Sequence, residues 1–363
     1  MTYSYKNFSI YIYWNPENHF LNINSSDETQ LELFKQAYFR DIFFIKKLLN
    51  SYTLEAIHFG GKSIAYMPNN LLISLIKELE KNFVKKNNLE ISVELDLDHI
   101  NKKYLNFLKF SKVTRLSLGP FLFENKQLED SLCDLLKKII FFTNYFKNIS
   151  LDLFYKRRNL NVERFFKALN KISKSNITHL STYEDDENFK KSRVNKNILS
   201  SESFLKKCRK ILIKERFKQY EVCNYSKINY ISKYYESLYA IKSFVAIGPG
   251  AHSRIISNKS ITKLKNVKNL NSWKKSYKSF QKRRLINKKN ITEEILLQCI
   301  RSSSGINTKE FNYIFGFNIY DVVDIKKKEL LIKENLLSKR KDFICLTSRG
   351  MTLVNNIVNY LLS

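Results

Sequence analysis

Along the first 250 residues, short stretches of β-branched and aromatic residues alternate with longer amphipathic ones. The strand candidates are SIYIYW (9–14), AIHFGG (56–61), LEISVELDL (89–97), VTRLSLG (113–119), NISLDLFY (148–155) and NITHLSTY (176–183). Between them lie LELFKQAYFRDIFFIKKLL (31–49), NNLLISLIKELEKNFVKK (69–86) and VERFFKALNKIS (162–173), whose apolar residues return at three- and four-residue spacing. Strand and helix alternating at these lengths predict βαβ units and a parallel sheet. Right-handed crossovers repeated along the chain curl such a sheet into an open, partial (β/α)6 TIM-like barrel, an α/β fold.

In that architecture the chemistry belongs at the C-terminal ends of the strands. Those ends carry the loop after Trp14, Gly60-Gly61-Lys62-Ser63, Glu94 with Asp96, Ser117 to Gly119, Asp152 with Tyr155, and Glu184 with Asp185. Gly60 and Gly61 open the backbone to close approach by a ligand, or serve a turn that needs positive φ. Glu94 and Asp152 are carboxylates able to accept from the vicinal hydroxyls of a ribose, or to pair with lysines. Arg157 and Arg158 follow the Asp152 strand and face either an anion or solvent. In FVAIGPGAHSRI (244–255), Gly248, Pro249 and Gly250 lie together in a chain with only 8 glycines and 4 prolines. His252 beside that turn could ligate a metal or haem iron through a neutral imidazole, or hydrogen-bond to the turn itself. No Ser/His/Asp arrangement, HExxH or P-loop is present, so no local motif marks a catalytic or metal centre.

Further on, residues 257–290 are dominated by Lys, Asn and Ser and are expected to form a loose connection. From ITEEILLQCI onward, short helices precede a strand-like pair, ENLLSK and FICLTSRG, and a closing helix, MTLVNNIVNYLL, a pattern of winged-helix character. Three regions are therefore expected: a barrel over 1–245, a turn and connecting region over 246–290, and a C-terminal helical domain over 291–363. The composition, 44% apolar and 14% aromatic, is ample for a buried core. No apolar run approaches the roughly 20 residues that cross a bilayer, and MTYSYKNFSI lacks the order of a signal peptide, so a soluble, cytoplasmic protein is expected. The five cysteines (Cys133, Cys208, Cys223, Cys299, Cys345) form neither a disulfide framework nor a CxxC site. The net charge of +29 admits a nucleic-acid-binding or acidic-partner face. Abundant Lys, Asn, Ile, Phe and Tyr also have AT-rich codons, so drift in base composition accounts for the same excess without a partner.

Taken in order, the fragments resemble the radical-SAM family related to oxygen-independent coproporphyrinogen III oxidase, and within it the branch of the HemW-type haem chaperones. The family's opening IYIHWPFC is matched by IYIYWNPE, its GGGTPS by GGKSIA (60–65) and its ETNP strand by Glu94-Leu95-Asp96-Leu97. RVSIGVQS is matched by RLSLGPFL (115–122), FDLIYG by LDLFYK (151–156), YEISNYA by YEVCNYS (220–226) and YLGIGPGAHSRI by FVAIGPGAHSRI. EEILLQCIRSSSGI and LTSRGM (346–351) extend the likeness to the C-terminal part.

The resemblance implies a radical-SAM barrel with a C-terminal HemW-like domain, and a function in haem binding and transfer to respiratory proteins. It also implies retained site residues: Gly60, Gly61, Glu94, Asp152, Gly248, Gly250 and His252. The family holds a [4Fe–4S] cluster with CxxxCxxC after the first strand, and those positions fall here on Glu17, Leu21 and Asn24. Since the first cysteine of the chain is Cys133, no shift of register restores the motif. Glu, Leu and Asn cannot replace thiolates, so the cluster is expected to be lost, S-adenosylmethionine binding to be weak or absent, and enzymatic activity to be missing. Other family positions fall on Lys62, Ser63, Ile64, Phe121 and Cys133, and the HNxxYW segment falls on Tyr234 to Tyr239. The alternative expectation is a degenerate pseudoenzyme that serves as a basic binding or scaffold protein.

Overall fold

The computed structural model describes residues 5–15, 28–98, 100–123, 128–155, 160–184 and 201–363. The chain opens with β1 (Asn7–Trp14), α1 (Glu28–Leu48), β2 (Thr53–Gly61), α2 (Asn69–Asn82), β3 (Val84–Leu95) and α3 (Lys102–Phe110). It continues through β4 (Arg115–Phe123), α4 (Leu128–Thr143), β5 (Ile149–Tyr155), α5 (Val162–Ser173), β6 (His179–Glu184) and α6 (Ser201–Lys214). Strands β1 to β6 lie side by side in chain order and all pair in parallel. This is the expected succession of βα units, and the α/β fold with its mainly parallel sheet is as the alternation predicts.

The sheet then grows at both ends. At the far end β6 pairs antiparallel with β8 (Asn224–Ser226), which pairs with β7 (Lys218–Gln219), and α7 (Lys233–Leu238) follows. At the near end β9 (Ser243–Ile247) pairs in parallel with β1. Beyond it β10 (His252–Ser257), β11 (Ser260–Asn266) and β12 (Phe280–Leu285) run antiparallel, with α8 (Leu270–Lys275) between the last two.

The stretch 257–290 thus is not the loose connection its composition suggests. In β11 the buried Leu264 lies between the exposed Lys263 and Lys265, while Ile261, on the face of those lysines, is buried against the second core. The high Lys content hides a strand whose cations all sit at solvent-facing positions.

The remainder comprises α9 (Lys288–Cys299), β13 (Ile306–Asn307), α10 (Thr308–Phe315), α11 (Ile325–Lys333), β14 (Phe343–Ile344) and α12 (Val354–Leu362), with β13 and β14 paired antiparallel. Asparagine, so frequent in this chain, starts many of these helices: the Asn101, Asn269 and Asn307 side chains accept from backbone N–H groups one turn in. Gly316, at φ 74°, closes α10 in the left-handed conformation with its N–H donating to Asn312 O.

Two apolar cores result. One gathers the outer sheet face and helices α1 to α6, and the other gathers the C-terminal helices. Strands β10 and β11 stand between them: Ile255 and Leu264 belong to the first core, Ile256 and Ile261 to the second. No helix among the described residues is long and apolar enough to cross a membrane.

Candidate functional site

Fully buried parallel strands usually read as unbroken apolar runs. These strands do not. Their apolar positions (Ile10 and Ile12, Ile57 and Phe59, Ile91 and Val93, Leu116 and Leu118, Leu151 and Leu153) alternate with Tyr11, His58, Ser92, Glu94, Arg115, Ser117, Ser150, Asp152, His179 and Ser181. The second set shares one face of the sheet and is cross-linked across it. Arg115 donates from Nε to Glu90 Oε2 (3.0 Å) and from Nη1 to Ser150 Oγ (3.0 Å). His58 bonds through Nδ1 to Ser92 Oγ (2.6 Å) and through Nε2 to Glu94 Oε1 (2.8 Å). Glu94 Oε2 in turn accepts the Gly61 N–H at 2.9 Å. Gly60 has to be glycine for the same reason: a Cβ there would stand 2.4 Å from the Glu94 carboxylate.

Helix α7 covers part of this face with aromatic rings. Tyr234 stacks on the His58 imidazole (centroids 4.2 Å apart, planes 10° apart), and Tyr11 stacks on the same imidazole from β1 (5.5 Å, 17°). Burial pushes the Tyr234 and Tyr235 hydroxyls well above the ordinary tyrosine range. The same effect holds His179 well below its ordinary value, with Arg115 adding to it, so that imidazole is neutral and its Nε2 pairs with Tyr220 Oη at 2.7 Å.

Toward the C-terminal ends of the strands a cavity of about 510 Å³ remains, bordered by Gly61, Lys62, Glu94, Asp96, Asp152, Tyr183 and Tyr235 among others. Four of the expected residues, Gly60, Gly61, Glu94 and Asp152, thus come together here. Asp152 is the least satisfied of them. Its Oδ2 accepts from Ser117 Oγ (3.4 Å), while Oδ1 is shut off from solvent and has no hydrogen-bond partner. Burial lifts its carboxyl from the ordinary 3.8 to about 6, with the Glu94 charge adding to this and the Ser181 and Ser117 hydroxyls opposing it.

The other three expected residues lie apart from that cavity. Gly248 and Gly250 form the turn between β9 and β10, and His252 is exposed as the first residue of β10, opposite Lys265. The turn is held from behind. Asp41, fully buried on α1, accepts from the Gly248 N–H (3.3 Å), Asn266 Nδ2 (2.7 Å), Trp273 Nε1 (2.9 Å) and Ser279 Oγ (2.8 Å). Gly248 (φ 108°) rests against the end of β1, where a Cβ would stand 2.6 Å from Tyr13 O. The best-kept motif of the sequence therefore supports the strand that leads into the loop after Trp14.

Glu17, Leu21, Asn24, Arg157, Arg158 and Asp185 lie outside the described residues. Tyr235, at a position of the HNxxYW segment, borders the cavity, and His58, Tyr66 and Tyr183 belong to the site although no local motif singles them out. The signal that could have found His58 was the polar alternation inside strands expected to be apolar on both faces.

A thiolate-bound cluster does not fit these residues. No cysteine borders the cavity. Cys208, Cys299 and Cys345 are buried, and burial pushes Cys208 and Cys223 up to about 12 and Cys299 up to about 11. Thiols so raised are poor ligands for iron. Among the described residues no cluster of three or more His, Cys, Asp or Glu side chains is arranged to hold a metal ion.

No family model matches the chain. It is 24% identical over 329 residues to a protein named putative heme chaperone HemW-like protein from Buchnera aphidicola subsp. Baizongia pistaciae, covering 86% of each chain. It is 25% identical over 330 residues to the heme chaperone HemW of Buchnera aphidicola subsp. Acyrthosiphon pisum (87% of this chain, 86% of the relative). The heme chaperone HemW of Bacillus subtilis is 23% identical over 323 residues, 84% of each. Among solved structures, coproporphyrinogen III oxidase (HemN) from Escherichia coli, a radical SAM enzyme, superposes with a TM-score of 0.72 at 17% identity, covering 99% of this chain and 91% of that one.

Proposed function

We propose that this chain, a divergent relative of the HemW haem chaperones on the fold of coproporphyrinogen III oxidase, binds haem in the cytoplasm and hands it to respiratory acceptor proteins without radical chemistry. The supporting observation is that the likeness to proteins of that name takes in most of the chain at both ends of the comparison. The cavity at the strand ends suits haem poorly, because Glu94, Asp96 and Asp152 border it and the two haem propionates are anions. The β9–β10 turn suits it better. His252 is exposed, Lys265 faces it across the ladder and Lys268 packs beside Gly250, so an imidazole for iron stands among cations for propionates.

A haemin titration tests this. The parent protein should show saturable binding with a shifted Soret band that survives moderate salt, and His252→Ala should weaken it by about tenfold or more. An unchanged titration with His252→Ala removes the residue from the role, and absent binding by the parent removes the reading. Gly60, Gly61, Glu94 and Asp152 then form a separate acidic cradle for a small ligand. A second reading, a basic binding or scaffold protein that kept the barrel without its reaction, is favoured by the net charge of +29 and predicts binding that falls steeply with salt.

A further inference from the structure

The haem reading uses only Lys265 and Lys268 of a larger charge feature. Residues 237–292, 56 in all, contain fourteen Lys and Arg and no Asp or Glu, while the rest of the chain carries all 34 acidic residues. Even drift in base composition does not clear acid from one long stretch alone. The fold gathers that stretch into one place, strands β9 to β12 with α8, and makes β12 the outermost strand at its end of the sheet. An outermost strand leaves one row of backbone N–H and C=O groups without a strand partner.

Gln281, Lys282, Arg283 and Arg284 of β12 are all exposed. Successive side chains of a strand point to opposite faces, so Arg283 shares the face of its ladder partner Lys263, while Lys282 and Arg284 point the other way. Lys263 is already bound to Glu294 (2.7 Å), but Lys282, Arg283 and Arg284 have no ion-pair partner among the described residues. The cations thus straddle a free strand edge. A membrane surface complements cations gathered on one face, and a nucleic acid leaves the free backbone row unused. A guard against self-association needs a charge on the edge strand, not an acid-free run of sequence through β9 to β12.

We propose that β12 is the docking edge for an extended acidic segment of a partner protein. The segment adds to the sheet as a further strand, and its consecutive Asp or Glu side chains alternate between Arg283 on one face and Lys282 with Arg284 on the other. This surface is independent of haem.

The test uses the purified full chain without haem and a fluorescent peptide, Thr-Val-Thr-Glu-Glu-Glu-Thr-Val-Thr, followed by anisotropy at low salt. The peptide should bind saturably, and N-methylation of alternate backbone nitrogens, which keeps its charge, should weaken it about tenfold or more. The variant K282E/R283E/R284E should lose the peptide to a similar extent and gain its Lys-for-Glu counterpart, a positive readout that also reports an intact fold. Equal binding of the N-methylated peptide overturns strand addition, and binding indifferent to the triple variant overturns the choice of β12. Absence of binding by the parent overturns the proposal, as does tighter competition by a single-stranded oligonucleotide or by phosphatidylserine vesicles.

Discussion

Asp152 and Glu94 show how two carboxylates with a single strand between them come to behave differently. Glu94 is held by His58 and by the Gly61 N–H, whereas Asp152 keeps one oxygen buried and unpartnered. Because the folded carboxyl of Asp152 titrates near 6 and an ordinary one near 3.8, the native state holds the extra proton between those values. Stability therefore falls as pH rises through that window and stays lower above it. Asp152→Asn removes the buried charge, so the variant should be more stable than the parent at pH 8 by up to about 3 kcal/mol, the gap closing toward pH 4. Urea unfolding at several pH values checks this, and a gap independent of pH contradicts it. Gly60→Ala tests the neighbouring pair. The new methyl occupies the Glu94 carboxylate position and breaks both of its hydrogen bonds, a loss of about 2 kcal/mol, and an unaltered melting curve would show that Glu94 relocates freely.

Elements are tied together by a few buried polar groups more than by their own propensities. Asp41 on α1 joins the β9–β10 turn, the end of β11, α8 and Ser279 ahead of β12, and its side chain is fully enclosed. Asp41→Ala leaves those donors buried without an acceptor and should cost about 3–5 kcal/mol, read by urea unfolding through the buried Trp273. Several elements were legible from period: α5 spans the very residues marked by the 162–173 pattern, and β1 to β6 each overlap an expected stretch, but the helix expected over 69–86 ends at Asn82, because Val84 to Lys86 open β3 beside β2. The strands of 257–290 were not, because exposed lysines flank Leu264 in β11 and four consecutive exposed polar residues make up most of β12, leaving little apolar pattern to read. The candidate site was half legible. Glycines and carboxylates at strand ends stood out, but His58 in mid-strand did not, since its partners Ser92, Glu94 and Tyr234 lie 34, 36 and more than 150 residues away.

Across the whole molecule, an excess of 63 Lys and Arg over 34 Asp and Glu repels itself in the compact state. Raising NaCl from low to physiological concentration should therefore raise Tm by at least about 1 °C, roughly 1 kcal/mol for a chain of this size, and a Tm that stays flat would mean that the charges are well dispersed or paired. The two cores meet across β10 and β11, so Ile256→Ala, on the C-terminal side, should cost about 2–5 kcal/mol and loosen the C-terminal helices along with the strand. The sequence by itself determined the succession of βα units and the absence of cluster-binding cysteines behind the first strand, because period and residue type are local properties. Only the tertiary structure decided that the GPGAHS turn supports β1 from outside the cavity and that His58 belongs to the Glu94 site. Each of these is a contact between residues far apart in the chain, which strand order and register create and no local pattern encodes.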